Sequence, residues 1–106
     1  MPKYLLQASY TPEGTKGLLK EGGSQRRATV EKTLKALGVK IESFYYSLGE
    51  HDVCLIVDAP DNVTVAALSM AVNAAAAVRL QTTVLLSTEE IDAATKKSVD
   101  YRPPGR

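Results

Sequence analysis

A very short connection decides how two strands of this chain pair. The stretch "VKIESFYYSL" (39–48) is rich in β-branched and aromatic residues, and "DVCLIVD" (52–58) is a nearly continuous apolar run. Both patterns are typical of β-strands. The connection around Gly49-Glu50 is too short for anything but an antiparallel hairpin. We expect Gly49 to supply the positive φ that such a turn commonly needs.

The segments on either side of this hairpin alternate between strand and helix patterns. A strand is predicted over 3–10, and a helix begins at Thr11-Pro12 and is interrupted at Gly22-Gly23 by either a kink or a short loop. The helix resumes at Ser24 and stops at Gly38. After the hairpin come a helix capped by Asp61 or Asn62, a fourth strand over 78–87, and a C-terminal helix over 88–97 that starts at Thr88. This β-α-β-β-α-β order with an extra C-terminal helix predicts an α+β, ferredoxin-like fold.

The length and the net charge of the chain predict one domain and limit its partners. The 106 residues suit a single domain over 1–97, followed by a flexible tail over 98–106. Thirteen basic and twelve acidic residues leave a net charge of +1, which gives no electrostatic reason to expect nucleic acid as a partner. No signal peptide is recognisable, and no apolar run reaches the ~20 residues of a membrane span. The single cysteine fits a reducing cytoplasm.

With a two-residue turn, the register of the hairpin determines which side chains lie on each face of the sheet. The face expected to lie under the helices carries bulky side chains and one histidine: Phe44, Tyr46, Leu48, His51, Val53 and Leu55. The opposite, open face carries mostly uncharged side chains, among them Gln7, Tyr45, Cys54, Ile56 and Gln81. A sheet face exposed to water alternates toward charged residues, so this composition predicts a homodimer joined through the open faces.

His51 is the candidate catalytic residue, because a histidine titrates near neutral pH and can act as a general base. A surface or capping histidine beside a turn is the commoner alternative. Cys54 is predicted to be an inert filler, since its expected neighbours include no base. One histidine and one cysteine on different faces cannot supply the three or four ligands of a zinc site. We therefore predict no metal and no cofactor.

Four residues were expected to mark a ligand-binding cleft near the hairpin. Tyr4, Tyr46 and His51 should line its mouth, on the assumption that the hairpin lies at the same end of the sheet as the start of strand one. Asp52 joins them, although a carboxylate beside a turn can simply bind turn amides. Arg26, in the first turn of the resumed helix, lies where the helix dipole disfavours cations. A solvated turn explains it most simply, and an anion or acidic partner is the alternative.

The chain resembles the GYD-domain family across residues 3–90. The resemblance rests on "KYLLQASYTPEG", "LGVKIESFYYSLGEHDV" and "VRLQTTVLLSTEE". Gly49, Glu50 and Asp52 match the family's hairpin, whereas His51 replaces its tyrosine, so no role of that tyrosine carries over. The resemblance implies a dimeric α/β barrel, whose relatives include haem-degrading and quinone-forming monooxygenases, muconolactone isomerases and stress-responsive barrel proteins. One fold hosts many activities, so the resemblance does not give the reaction.

Three functions follow as hypotheses. The first is a module that binds a small apolar or aromatic molecule in a cleft near residues 47–52. The second is a non-catalytic oligomeric scaffold or regulatory module. The third is a cofactor-free or haem-linked enzyme similar to the monooxygenases and isomerases, with His51 as base or haem ligand. Whether the chain is an enzyme stays open.

Overall fold

The predicted order of elements is confirmed by a computed structural model that describes residues 1–106. The first predicted helix is two helices, because Gly22 adopts a φ of 84° and breaks the chain direction between them. The elements are β1 (Lys3–Tyr10), α1 (Pro12–Glu21), α2 (Gly23–Ala36), β2 (Lys40–Tyr46), β3 (Val53–Asp58), α3 (Asn62–Ala74), β4 (Val78–Leu85) and α4 (Thr88–Thr95). The chain is an α+β protein with a ferredoxin-like fold.

The four strands form one sheet in the order β2-β3-β1-β4, and every neighbouring pair is antiparallel. Tyr46 lies opposite Val53 and Phe44 lies opposite Leu55, which confirms the predicted register of the hairpin. An irregularity between Ile41 and Ser43 shifts the register at the far end of β2. Because β1 and β3 are the central strands, they supply more core residues than the edge strands do.

The hairpin tip differs from the two-residue turn predicted for it. The strands end at Tyr46 and resume at Val53, and the Ser47 amide donates to the Asp52 carbonyl at 2.8 Å. The Ser47 hydroxyl donates to the His51 carbonyl at 2.7 Å. These bonds close a wider tip, in which Gly49 does not have a positive φ. The expectation for Gly49 is therefore wrong, and so is the placement of Leu48, which is fully exposed instead of lying under a helix.

The core lies between the sheet and the two helices α2 and α3. All twelve buried residues are hydrophobic, and β1 and β3 contribute half of them. Leu34 of α2 and both Val65 and Leu68 of α3 pack onto the strands. Tyr4 and Val57 are the most completely buried large side chains. The helix-covered face of the sheet is thus the face that carries Phe44, as the sequence pattern predicted.

The helix boundaries follow specific capping residues. The Thr11 and Asp61 side chains accept hydrogen bonds from amides in the first turns of α1 and α3, so Asp61 is the cap rather than Asn62. Gly38, at φ 74°, follows the end of α2 as predicted. The cap of α4 is Ser87 and not the expected Thr88. Ser87 and Glu90 form a reciprocal capping box, so the cap lies one residue earlier than expected and Thr88 is the first residue of the helix.

Ala76 is the only non-glycine residue with a positive φ, at 63°. The left-handed conformation costs an L-residue roughly 1–2 kcal/mol because Cβ crowds the following carbonyl. Ala76→Gly should therefore raise the free energy of unfolding by about 1 kcal/mol, measured by urea denaturation. The neighbouring Ala75 has a right-handed φ of −73°, so Ala75→Gly should lower stability. Equal destabilisation by both changes would show that Ala76 is not strained.

The C-terminal segment lies apart from the body of the protein. Helix α4 packs closely against no other element and has no buried residue. The radius of gyration is 17.0 Å, whereas a compact chain of this length has a value of about 13 Å. The side chains of Leu86, Ile91, Val99 and Tyr101 are all exposed. The predicted flexibility of the tail over 98–106 stays a prediction.

Candidate functional site

An apolar cleft opens on the helix-covered side of the sheet. Helix α2 packs on β2 and α3 packs on β4, but the two helices do not pack closely against each other. The gap between them leaves about 90 Å³ of free volume over the middle of the sheet. Twelve of its thirteen lining residues are hydrophobic. They are Leu6, Ala8, Tyr10, Val30, Leu34, Phe44, Val53, Leu55, Leu68, Val72, Val78 and Leu80, and the thirteenth is Arg26.

The hairpin lies at the end of β1 and not at its start. Because β1 and β3 are antiparallel, Ala8 pairs with Val53 beside the hairpin, whereas Lys3 pairs with Asp58 at the far end. Tyr4 is 1% exposed, and its hydroxyl donates to the Asn62 side chain at 2.5 Å at that far end. The expectation that Tyr4 lies with Tyr46 and His51 is therefore wrong. Tyr4 is a core residue and lies away from Arg26, the charged residue of the cleft lining.

Tyr10 takes the place that was expected for Tyr4. It ends β1 and lines the cleft together with Arg26 of α2. Burial raises the pKa of Tyr10, the neighbouring Tyr46 adds to this rise, and Arg26 opposes it. The phenol is therefore neutral at physiological pH and can donate a hydrogen bond. The sequence signal for Tyr10 was its position at the last residue of β1, which antiparallel pairing brings beside the hairpin.

Arg26 is a half-buried cation without a carboxylate partner. The ion pairs of the protein join Lys3 to Glu42 and Asp58, and Lys16 to Glu13, and none includes Arg26. Its neighbour Arg27 is exposed and lies over the Phe44 ring, with 5.3 Å from the guanidinium carbon to the ring centroid. The two arginines therefore have different surroundings, although they are adjacent in the sequence.

Tyr46 connects the sheet to the start of α2. Its hydroxyl donates to the Gly23 carbonyl at 2.8 Å, and its ring packs edge-on against Phe44 with 5.3 Å between centroids. A side chain on residue 23 would crowd the Tyr46 ring, with its Cβ only 3.1 Å from a ring carbon. Burial raises the pKa of Tyr46, and Arg26 opposes the rise. Tyr46 lies beside the cleft mouth, and its hydroxyl is held by the backbone.

His51 lies outside the apolar cleft. It lines a separate polar depression of about 320 Å³ together with Ser9, Glu50, Arg79, Leu80 and Gln81. Its Nδ1 is 3.4 Å from the Ser9 hydroxyl oxygen, and no carboxylate oxygen lies within 4.0 Å of the ring. The expected position on the helix-covered face is wrong, because the wider hairpin tip carries His51 toward the open side. Its catalytic role stays a prediction.

Asp52 holds the end of β1 against the hairpin. Its side chain accepts a hydrogen bond from the Tyr10 amide at 2.8 Å, and its own amide donates to the Ala8 carbonyl at 2.8 Å. These bonds extend the pairing of β1 with β3 by one step beyond the regular ladder. Asp52 therefore positions Tyr10, and this structural role is the alternative that the sequence left open.

The open face has the side chains that the hairpin register assigned to it. Gln7 and Tyr45 both lie opposite Cys54, one from each neighbouring strand, and Gln7 also pairs with Gln81. Tyr45 is 70% exposed, whereas Cys54 and Ile56 are half-buried. The residues predicted for an interface thus lie on one continuous surface across all four strands.

No group of three or more histidine, cysteine, aspartate and glutamate side chains is arranged to hold a metal ion. None of the helices combines the length and the apolar character needed to cross a bilayer.

Comparison with known proteins supports the resemblance seen in the sequence. A search of curated proteins and a search of solved structures each returned no match. The family model described as GYD domain matches residues 4–95, which include all four helices and all four strands except the first residue of β1, Lys3. This chain therefore belongs to the GYD domain family.

Proposed function

We propose that the protein binds a small apolar or aromatic molecule in the cleft between the sheet, α2 and α3. The observation that carries this proposal is the cleft of about 90 Å³ whose lining is hydrophobic at twelve of thirteen positions. Small-molecule sites are concave and mostly apolar, with a few polar groups that fix the orientation of the ligand. Tyr10 and Arg26 are the groups here that can do so.

The shape of the cleft suits a ligand the size of one aromatic ring or a short alkyl chain. An enclosed apolar cavity of ~150 Å³ accepts benzene. The cleft is smaller but open to solvent, so part of a bound molecule can extend toward Tyr10 and Arg26. Burying the apolar part of such a ligand removes hydrophobic surface from water on both sides, which favours binding by roughly 25 cal/mol per Å².

The chemistry of the lining favours binding over turnover. Tyr10 and Arg26 are its only titratable residues, and neither is a general base at neutral pH. His51, the residue best suited to that role, opens onto a different depression. A reaction in this cleft would have to use groups that the ligand brings with it. We therefore place the binding module ahead of the enzyme hypothesis.

A bulky substitution inside the cleft should block binding. Val72 lines the cleft from α3 and is half-buried, whereas Val63 of the same helix is 78% exposed. Wild-type protein should bind the neutral probe 2-phenylethanol with a Kd of about 1 mM, an affinity typical of so small a ligand. Val72→Phe should weaken this binding at least tenfold, because the ring occupies the volume that the ligand needs.

The measurement is a titration followed by two-dimensional NMR of the backbone amides. The amides of Ala8, Val53 and Leu80 on the cleft floor should shift as the probe is added. Val63→Phe is the matched control and should bind like the wild type. If the wild type shows no shifts at the cleft floor, or if Val72→Phe binds unchanged, the cleft is not the binding site.

A second proposed property is assembly into a homodimer through the open sheet faces. The exposure of Tyr45 on a mostly uncharged sheet face favours it, since aromatic side chains are enriched in interfaces. The position of α4, which extends away from the body with Ile91 exposed, favours it as well. Dimerisation would cover the side of the sheet opposite the cleft, so it is compatible with ligand binding. This assembly is the dimeric α/β barrel that the family resemblance implied.

A further inference from the structure

We propose that the ligand of the cleft carries a carboxylate, or an anion of similar shape, which the Arg26 guanidinium binds with help from the Tyr10 hydroxyl. This inference rests on the proposed binding function and names the chemical class of its ligand. The apolar part of the molecule would lie over the sheet between α2 and α3. Its anionic end would lie at the mouth, where the two polar groups of the lining are found.

The surroundings of Arg26 are the first argument. It is the only charged residue of an otherwise hydrophobic lining, and it is half-buried. A partly desolvated cation is costly unless an anion or several hydrogen bonds compensate it. Lys3, by comparison, is paired with both Glu42 and Asp58. Arg26 has no carboxylate within 4.0 Å, so a carboxylate supplied by the ligand would compensate it.

The geometry of the guanidinium narrows the class of anion. A guanidinium is a planar fork of donors that matches the two oxygens of a carboxylate, and such charged hydrogen bonds are about twice as strong as neutral ones.

The Arg26 side chain also borders a second, wider groove between α2 and α3, which continues from the cleft toward Lys32 and Ala75. The anion-binding end of the cleft is thus open to entry from solvent.

Tyr10 is the second donor and is held in place. Its main chain is bound by the Asp52 carboxylate, which fixes the end of β1 next to α2. Burial keeps its phenol protonated by raising its pKa. A neutral phenol donates to an anion without adding charge, so it would orient the carboxylate while Arg26 neutralises it.

The test compares two probes of nearly the same size and shape, phenylacetate and 2-phenylethanol. At neutral pH the first is an anion and the second is neutral. We expect wild-type protein to bind phenylacetate about tenfold more tightly, because a charged hydrogen bond replaces a neutral one. Arg26→Gln should reduce this preference to twofold or less, because it should weaken the binding of phenylacetate more than that of 2-phenylethanol.

Arg27→Gln is the matched control, because it removes the same charge from the next residue, which is exposed and does not line the cleft. It should keep most of the preference for phenylacetate. Arg26→Lys, which keeps the charge but loses the fork, should give an intermediate preference and covers the case in which Arg26→Gln does not fold. Amide NMR spectra of each variant report folding and binding in the same titration.

The possible outcomes distinguish the inference that the ligand carries a carboxylate from the proposed binding function on which it rests. If wild-type protein binds both probes equally, the cleft binds apolar molecules but the carboxylate inference is overturned. If Arg27→Gln loses the preference as fully as Arg26→Gln, a diffuse positive field explains it and Arg26 is not the binding group. If neither probe binds at the cleft floor, the proposed function itself fails.

Discussion

Gly14→Ala should destabilise the protein by about 3 kcal/mol, although it places a good helix former in a helix. Gly14 lies in the first turn of α1, directly against the loop between α3 and β4. A Cβ built there would overlap the Ala77 carbonyl oxygen and come within 3.1 Å of the Tyr10 ring. The oxygen belongs to the backbone, so it cannot turn away as a flexible side chain could. Either α1 or the loop would have to move.

The Ala77 carbonyl is also the acceptor that fixes α1 to the rest of the fold. It accepts from the Thr11 amide at 3.1 Å and from the Thr11 hydroxyl at 3.0 Å. Moving the loop would weaken both bonds and the N-cap that Thr11 provides for the Gly14 amide. The expected loss therefore combines overpacking with the partial loss of hydrogen bonds, each of which contributes about 1 kcal/mol.

Gly17→Ala is the matched control on the same helix. A Cβ at residue 17 would meet no atom within 4 Å, and alanine restricts the unfolded chain more than glycine does. This change should stabilise the protein by about 0.5–1 kcal/mol. Urea denaturation of both variants measures the difference. Similar small gains for both would mean that α1 is not pressed against the loop.

The sequence was sufficient to predict the fold because its patterns were local and unambiguous. The hairpin between two apolar runs, Pro12 at the start of the first helix and the helix caps each predicted an element that the structure contains. The register of Tyr46 with Val53 followed as well, because bulky side chains on one face of a strand pair specify it. Gly22 illustrates the limit: a pair of glycines shows where a helix is interrupted but not how the chain continues.

The position of Tyr4 could have been predicted correctly from the same order of elements. Because β1 and β3 are antiparallel neighbours in the sheet, the hairpin must lie beside the last residue of β1, which is Tyr10. The expectation for Tyr4 placed the wrong end of β1 beside the hairpin. The position of His51 is different, because it depends on two hydrogen bonds of Ser47 that widen the tip. No pattern of hydrophobic residues encodes those bonds.

The sequence predicts a ligand cleft near the hairpin, but it does not predict the size or the lining of the apolar cleft. Its existence depends on the distance between α2 and α3, which is set by their packing on β2 and β4 at opposite edges of the sheet. The residues that line it, such as Val30 and Leu68, have the periodicity of ordinary core positions. Arg26 gave a signal of its own, a cation in the first turn of a helix, but its meaning emerged only from its neighbours.

Tyr45→Glu should convert the proposed homodimer into a monomer. Tyr45 lies on the open face, on the edge strand β2 opposite Cys54, and is 70% exposed in the single chain. If two open faces pack together, a glutamate at this position would be buried without a partner, which costs several kcal/mol per site. A two-fold axis places the substitution in the interface twice, so the effect on the dimer is doubled.

Light scattering measures the result directly. Wild-type protein at micromolar concentration should have at least twice the mass of one 11.4 kDa chain, and Tyr45→Glu should have the mass of one chain. Leu19→Glu adds the same charge at an apolar residue of α1 that is 82% exposed and far from the sheet face, so it should remain a dimer. A wild-type mass of 11.4 kDa would contradict the proposed assembly outright.

The thiol of Cys54 gives an independent readout of the same interface. Cys54 is free, half-buried in the single chain and directly opposite Tyr45, so a second copy on the open face would shield it from solvent. A thiol reagent should therefore label wild-type protein slowly and Tyr45→Glu rapidly, while Leu19→Glu behaves as the wild type. Because a reagent reaches Cys54 only when the faces separate, wild-type labelling should also slow as the protein concentration rises. A labelling rate independent of concentration and equal in all three proteins would show that the open face is not covered by a second copy.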